Sequence, residues 1–156
     1  MTLSGCTLEK RKITTPTYRG DYDHFHPQEI LLYLCIWVDK IFDIIFLDEA
    51  FSFMSSLEKN KREKIFYNIR RAQAERDPEI FKKLTEEIWE FRTLFMGLQY
   101  RLLAFWDKSD QRETLVVSTH GFIKKQSKVP DREIQKAKQM RTKYFEDKEK
   151  QKKTSK

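Results

Sequence analysis

Cysteine is scarce in this chain, and the two cysteines stand far apart. Cys6 and Cys35 show no CxxC spacing, so they predict neither a disulfide framework nor the ligand set of a structural zinc site. Such sparse use of cysteine is typical of a protein from a reducing compartment.

Long hydrophobic runs are also missing. The apolar run Ile30–Trp37 has eight residues, and Val38 extends it by one before Asp39, which is well short of the roughly 20 residues that a membrane helix requires. Asp21, Asp23 and Glu29 precede it, whereas a signal peptide carries a basic segment before its apolar core. The sequence therefore predicts neither a membrane span nor a secretion signal, and we expect a cytoplasmic protein.

Acidic residues are outnumbered, with 24 Asp and Glu against 31 Lys and Arg, for a formal net charge of +7. Aromatic residues make up 13% of the 156 residues, which indicates one packed domain rather than disorder. Residues 130–156 hold ten basic and five acidic side chains. A basic end on a small domain favours a polyanion partner such as nucleic acid, although a solvated tail explains Lys148–Lys156 equally well.

The sequence DYDHFH at residues 21–26 places two aspartates beside two histidines. His24 and His26 would share one face only in a strand, and no further ligands are positioned to complete a metal shell. We therefore expect a loop here rather than a metal site, and the sequence points to no cofactor.

The middle of the chain begins with a predicted strand and two helices. Residues 41–47 have the β-branched and aromatic content of a first strand. An amphipathic helix follows, with Asp48 as its N-cap and apolar residues at helical spacing as far as Leu57. A second helix carries Ile65 and Ile69 on one stripe.

Two segments that contain proline predict further helices. Asp77-Pro78-Glu79 combines a cap, a proline at the first helical position and an early acid, so it predicts a short helix over residues 77–84. Pro130-Asp131 opens a last helix, with apolar residues at helical spacing as far as Tyr144.

Residues 88–125 predict three antiparallel strands. Apolar and polar residues alternate from Trp89 to Arg92, Gly97 marks the first turn, and polar residues 107–112 form the second. With the first strand, this predicts an α+β fold: a small, curved, mostly antiparallel sheet of about four strands, two to three N-terminal helices and a C-terminal helix. Whether the first strand pairs parallel or antiparallel is left open.

Five cationic residues of this stretch need an explanation beyond packing, because cationic groups do not build a core. They are Arg92, Arg101, His120, Lys124 and Lys125. Arg92 and Arg101 also have a structural interpretation as ion-paired residues of the sheet, and His120 has one as a hydrogen-bonded histidine at a strand end. Arg101 shares one side of its strand with Leu103 and Phe105, so that face is not uniformly polar.

Three segments, taken in order and spacing, carry a resemblance. They are FDIIFLDEAFSFMSSLEKNKREKIFYNIRRAQ, IWEFRTLFMGLQYRLLAFW and LVVSTHGFIKK. Their most specific pieces are Glu90-Phe91-Arg92, Tyr100-Arg101-Leu102 and Thr119–Lys125. The chain resembles the RelE/ParE/HigB toxin superfamily of bacterial toxin–antitoxin systems over about residues 40–147, and more narrowly its phage-derived HigB-like branch. The resemblance implies a RelE-like fold.

The resemblance also implies cleavage of messenger RNA in the ribosomal A site. A 2′-hydroxyl attacks its own 3′-phosphate without a metal, so the site must move protons and stabilise the growing negative charge. Arg92 and Arg101 offer forked donors for phosphate oxygens. His120 is the best acid–base candidate, because the ordinary pKa of histidine lies near the working range.

Further residues and a partner follow from the same resemblance. Tyr100 is expected to stack a base or orient the phosphate, and Lys124 and Lys125 are expected to contact the RNA backbone. The protein partner is expected to be a cognate antitoxin, a helix-turn-helix DNA-binding protein encoded beside the toxin, with an acidic segment that meets the basic surface.

Two other functions compete with the ribosome-dependent RNA endonuclease. The first is a non-enzymatic inhibitor of DNA gyrase, as the ParE part of the resemblance implies, in which the helical hairpin carries the effect without His120. The second is an inactive relative that only binds an antitoxin.

The N-terminal 37 residues have no counterpart in the resemblance. Val38 can be encoded by GUG, an alternative bacterial start codon, so we hypothesise that residues 1–37 are an over-extended gene prediction with loop-like character. Tryptic peptides from before Lys40 in the natural product would contradict this, and the rival is a true extension over the sheet or a partner groove. We expect the chain to divide into an N-terminal extension at residues 1–37, a toxin domain at residues 38–147 and a disordered basic tail at residues 148–156.

Overall fold

The computed structural model describes residues 40–75, 77–109 and 115–154. The DYDHFH sequence and the hypothesis about residues 1–37 lie outside these ranges. The elements in chain order are β1 (Asp43–Phe46), α1 (Asp48–Ser56), α2 (Lys59–Ala74), β2 (Phe81–Lys83), β3 (Trp89–Phe95), β4 (Leu98–Asp107), β5 (Leu115–Lys124) and α3 (Asp131–Thr154). No helix among the described residues is both long enough and apolar enough to cross a membrane.

The described strands form a mixed sheet in the order β1-β5-β4-β3-β2. Strand β1 pairs parallel with β5, and all other pairs are antiparallel. The predicted α+β class and mostly antiparallel sheet are confirmed, and the architecture is consistent with a RelE-like fold. Within the described ranges the sheet has five strands where about four were predicted, and the pairing of β1, left open by the sequence, is parallel.

The prediction of a short helix over residues 77–84 is wrong, because these residues form a turn followed by β2. The Asp77 carboxylate accepts a hydrogen bond from the Glu79 backbone N–H at 2.8 Å, which stabilises a turn rather than a helical start. Phe81 then stacks on Phe91, with ring centroids 4.3 Å apart, and on Trp89 at 5.0 Å. Aromatic packing across the strand pair outweighs the local helix signal.

The turn predicted at Gly97 is confirmed as the two-residue loop between β3 and β4. Met96 and Gly97 both have positive φ, 49° and 74°, as the tight hairpin turn that matches strand twist requires. The turn fixes the register, in which Phe95 pairs with Leu98 and Arg92 pairs with Arg101.

Helices α1 and α2 pack on one side of the sheet, the back face. The buried cluster between them joins Phe91, Tyr100, Leu102, Ala104 and Val116 of the sheet to Ala50, Met54, Ile65, Phe66, Ile69 and Ala72 of the helices. Burial of these side chains removes their apolar surface from water and supplies most of the driving force for folding. The back face is therefore closed to a ligand where these side chains meet.

Helix α3 covers half of the opposite side, the front face. It closes over Leu103, Phe105 and Val117, and the fully buried Asp107 accepts hydrogen bonds from Tyr144 and Lys148. Helix α3 continues to Thr154, through the residues from 148 onward for which a disordered tail was expected. Lys148 is the point in this part of the helix that contacts Asp107.

The rest of the front face, which we call the open half, is not covered by α3. Its side chains share one side, because paired residues on neighbouring strands point the same way. They are Lys82 of β2, Glu90, Arg92 and Leu94 of β3, Gln99 and Arg101 of β4, and Phe122 and Lys124 of β5. Leu94, near the hairpin turn, is 67% exposed, whereas Glu90 and Arg101 are only 4% and 3% exposed.

Candidate active site

Two of the predicted cations meet at the centre of the open half. Arg92 of β3 pairs directly with Arg101 of β4, so their side chains leave the sheet side by side. Two guanidinium groups in this position would repel each other without a negative charge between them. Glu90, two residues before Arg92 on the same strand and face, supplies that charge.

The Glu90 carboxylate lies between both arginines. Its Oε2 is 3.1 Å from Arg101 Nε and its Oε1 is 3.7 Å from Arg92 Nε. The geometry of the Arg101 contact makes an ion pair but not a hydrogen bond, so Arg101 Nε and Glu90 Oε2 keep unused hydrogen-bonding capacity. Arg92 also reaches the exposed Glu79, with Nη1 3.5 Å from Oε2.

Arg101 is held almost completely inside the protein. Its Nη1 donates to the Tyr100 carbonyl oxygen at 3.0 Å and its Nη2 donates to Gln99 Oε1 at 2.8 Å. Burial lowers the pKa of Arg101, and the charge of Glu90 opposes that effect. Arg101 therefore acts as a fixed positive charge beneath the surface, whereas Arg92, with 29% of its side chain exposed, can reach a ligand.

Lys124 completes the cluster from β5. It pairs across the sheet with Gln99, and burial together with the nearby Arg101 lowers its pKa, while Glu90 raises it. Arg92 and the edge residue Lys82 also lower the pKa of Lys124, so these charges lie within electrostatic range of one another. Among the described residues, the open half thus combines four cations with one carboxylate. A surface with this excess of positive charge can bind a phosphate group.

His120 lies on the same face but under the first turn of α3. A bulge shifts the pairing, so that Leu103 faces His120 and Ala104 faces Ser118, which leaves Thr119 as the extra residue. The imidazole is 3% exposed. Its Nε2 is 3.1 Å from Glu133 Oε2 and its Nδ1 is 3.1 Å from Thr119 Oγ1.

The burial of His120 favours a neutral ring. Burial lowers the pKa of His120, nearby Lys136 lowers it further, and Glu133 and Glu49 oppose the shift. In the neutral tautomer that fits the carboxylate, Nε2–H donates to Glu133. The single hydroxyl proton of Thr119 is shared between two acceptors, His120 Nδ1 and the Leu103 carbonyl oxygen, each 3.1 Å from Oγ1. Both ring nitrogens are therefore engaged within the protein.

The remaining predicted residues lie elsewhere. Tyr100 belongs to the back face, where it is 2% exposed inside the core, so the open half does not include its ring. Lys125 is exposed just beyond the end of β5. The structure thus brings Arg92, Arg101 and Lys124 together and sets His120 further along the same face.

Sequence reasoning did not assign two residues that the geometry adds, Lys82 and Glu133. Lys82 was hidden in the segment predicted as helix, and its pairing with Glu90 follows only once that segment is a strand. Glu133 lies 13 residues from His120 in the chain and meets it through the packing of α3. Among the described residues, no group of three or more His, Cys, Asp or Glu side chains could hold a metal ion.

A cleft of about 780 Å³ opens at the far end of the sheet, where β3 begins and β4 ends. Trp89, Trp106 and Phe81 line it, with Arg141 and Phe145 from α3. None of the predicted site residues lines this cleft, so its size does not make it the centre of the proposed chemistry.

A comparison with known protein families shows which family the chain belongs to. Residues 52–142, more than half of the sequence, match the family described as phage derived protein Gp49-like (DUF891). The chain belongs to this Gp49-like family. It is a family of RelE/HigB-like toxins associated with toxin–antitoxin systems, and membership implies an antitoxin partner. No curated protein matches the chain.

Proposed function

We propose that this Gp49-like protein inhibits translation by cleaving messenger RNA in the ribosomal A site, as a toxin of the HigB-like branch. The observation that carries the proposal is the convergence of Arg92, Arg101 and Lys124 around one carboxylate on the open half. A cationic surface on a sheet face suits a phosphate within an extended strand of RNA. The family's association with toxin–antitoxin systems supports the same class.

The proposed reaction joins the ribose 2′-oxygen to the adjacent phosphorus and breaks the bond from phosphorus to the 5′-oxygen. The 2′-hydroxyl loses a proton, the leaving 5′-oxygen gains one, and the products are a 2′,3′-cyclic phosphate and a 5′-hydroxyl. No metal is needed, because the nucleophile is part of the substrate. Arg92 and Lys124 contact the phosphate as charge accumulates, and the buried Arg101 adds a fixed charge behind them.

Proton transfer falls to the pair of His120 and Glu133. The Glu133 carboxylate can accept the proton of the 2′-hydroxyl and return it to the leaving 5′-oxygen, while His120 Nε2–H donates to that carboxylate and holds it in place. The Glu133 side chain is 16% exposed, so the pair reaches the surface through Glu133 rather than through the ring. Productive binding on the ribosome must therefore bring the ribose 2′-hydroxyl to the Glu133 carboxylate.

The experiment uses purified protein in a reconstituted translation reaction with a defined messenger RNA. We expect new 5′ ends at A-site codons only when ribosomes are translating, with 2′,3′-cyclic phosphate and 5′-hydroxyl termini. A 2′-deoxynucleotide at the cleaved position should abolish the cut at that position. Cleavage that tolerates the 2′-deoxynucleotide contradicts the proposed chemistry.

Matched variants connect that activity to the open half. Arg92→Ala should slow cleavage about 10²–10³-fold, which is the usual effect of removing one donor to a developing charge. Lys124→Ala should also slow cleavage. Lys59→Ala is the control, because Lys59 begins α2 on the opposite side and its side chain is 73% exposed. Intact messenger RNA with DNA damage in cells would favour the gyrase-inhibitor alternative, and no effect on either would favour an inactive antitoxin-binding relative.

A further inference from the structure

We infer that Phe122 is the residue that stacks on a nucleobase of the bound RNA, an inference that rests on the proposed function. Sequence reasoning gave that role to Tyr100, whose ring lies in the core of the back face. Of the side chains that define the open half, Phe122 is the only aromatic one. It is partly exposed, so part of its ring is open to a base.

The position of Phe122 suits a nucleotide whose phosphate lies on the cations. Phe122 pairs with Arg101, and Arg101 pairs with Arg92, so the three side chains form one row across β3, β4 and β5. Neighbouring strands lie about 5 Å apart, which places Arg92 roughly two strand spacings from Phe122. Lys124 follows two residues after Phe122 on the same face, so the ring has cations on two sides.

Contacts on both faces of the sheet hold Phe122 in place. Its ring is stacked beside the His120 imidazole, with centroids 6.1 Å apart and planes tilted by 29°, and it packs against the cluster under α3. On the back face, the Phe53 ring lies so close to Gly121 that a Cβ there would be 2.0 Å from Phe53 Cδ1. The backbone beside Phe122 is thus fixed before RNA binds, which reduces the entropy lost on binding.

Stacking also predicts what kind of substrate the site accepts. Every base has a π-face, so an aromatic platform between cations binds single-stranded RNA with little dependence on sequence. The ring makes no hydrogen bonds to base edges, and larger bases cover more of it. We expect tolerance of all four bases at the stacked position, with faster cleavage when that base is a purine.

The test combines changes in the protein and in the RNA on programmed ribosomes. Phe122→Leu should slow single-turnover cleavage roughly 5- to 100-fold, the range that loss of one stacking contact implies, and Phe122→Trp should retain activity. An abasic nucleotide at the stacked position of the codon should slow the wild type by a similar factor and slow Phe122→Leu no further. Phe95→Leu, on the back face of β3, is the control for loss of an aromatic ring.

The outcomes separate this inference from the proposed function. If Phe122→Leu cleaves within twofold of the wild-type rate while Arg92→Ala is slow, the stacking role of Phe122 is overturned. The proposed nuclease function is not affected by that result. The same follows if the abasic nucleotide slows Phe122→Leu as much as it slows wild type. Thermal unfolding of each variant shows whether a loss reflects the fold instead.

A second measurement decides the case in which wild type cleaves nothing. The probe is a single-stranded oligoribonucleotide carrying 2-aminopurine, whose fluorescence falls when the base stacks on a ring. Quenching by wild type that Phe122→Leu removes and Phe122→Trp keeps supports stacking even if the nuclease proposal fails. Absence of quenching by wild type, or equal quenching by Phe122→Leu, overturns the inference.

Discussion

Glu90 Oε2 lies 3.1 Å from Arg101 Nε, and the two side chains are only 6% and 3% exposed. The pair is the electrostatic centre of the open half, because Arg92 and Lys124 both lie within range of its carboxylate. One buried anion thereby allows several cations to share a small surface without unfavourable repulsion. In the proposed function, the remaining positive charge attracts the RNA phosphates.

Removing Glu90 should destabilise the fold through the charge that it leaves behind. Glu90→Leu is expected to lower the free energy of unfolding by about 3–5 kcal/mol, because Arg101 would be a buried charge without its partner. Urea unfolding measures the loss. Glu79→Leu, which changes a carboxylate that is 84% exposed, should alter stability by no more than about 0.5 kcal/mol.

The double variant Glu90→Leu/Arg101→Leu checks the cause of that loss. It removes both charges, so it should recover a large part of the stability lost in Glu90→Leu. A double variant that is no more stable than Glu90→Leu would show that packing, rather than an unpaired charge, explains the effect.

Asp107 should make the fold sensitive to acid. Burial alone would raise the pKa of Asp107, but hydrogen bonds from Lys148, Ser109 and Tyr144 lower it to about 2. A lowered carboxyl pKa stabilises the folded state above the unfolded pKa of about 4, and this contribution, of about 2 kcal/mol, is lost as pH falls toward 2. The free energy of unfolding of wild type and Asp107→Asn, followed from pH 6 to 2, tests this. An equally steep fall in both proteins would contradict it.

His120 should be neutral at neutral pH. Because burial lowers its pKa in the fold, the unfolded chain binds a proton first as pH falls through about 6.5, so this residue lowers stability on the acid side. Nitrogen-detected NMR, assigned with His120→Gln, should give a midpoint below 6.5. Glu133→Gln should move that midpoint lower still, because Glu133 raises the pKa. A midpoint above 6.5 would show that the Glu133 carboxylate outweighs burial and would contradict this prediction.

Gly121 should tolerate no side chain, because α1 packs directly on it. A Cβ at this position would overlap the Phe53 ring, so Gly121→Ala should cost about 1–3 kcal/mol of stability through overpacking. Thermal unfolding measures the cost. Phe53→Leu in the same chain should recover part of it, and equal instability of the single and double variants would place the strain elsewhere.

Local patterns predict most of the fold, and tertiary contacts explain the exceptions. Alternation from Trp89 onward and the turn at Gly97 give the hairpin of β3 and β4 correctly, because strand period and turn chemistry are local. The segment around Pro78 is predicted wrongly, since the Phe81 ring gains more from stacking on Phe91 than a short helix offers.

The site is predicted less well, because it depends on which faces other elements cover. The sequence places Arg101, Leu103 and Phe105 on one side, which looks inconsistent with an active site. Helix α3 resolves this by covering Leu103 and Phe105 and leaving Arg101 on the open half. Adjacent residues point to opposite faces, so Tyr100 cannot accompany Arg101, and the bulge at Thr119 is not visible in the sequence.

The most direct test is a cryo-electron microscopy structure of the protein on a ribosome whose A-site codon carries non-cleavable 2′-deoxynucleotides. We predict that the codon crosses the open half, with one phosphate within about 3 Å of Arg92 and Lys124 donor atoms. A ribosome-bound protein whose open half faces away from the messenger RNA, with these residues far from every phosphate, would contradict the account.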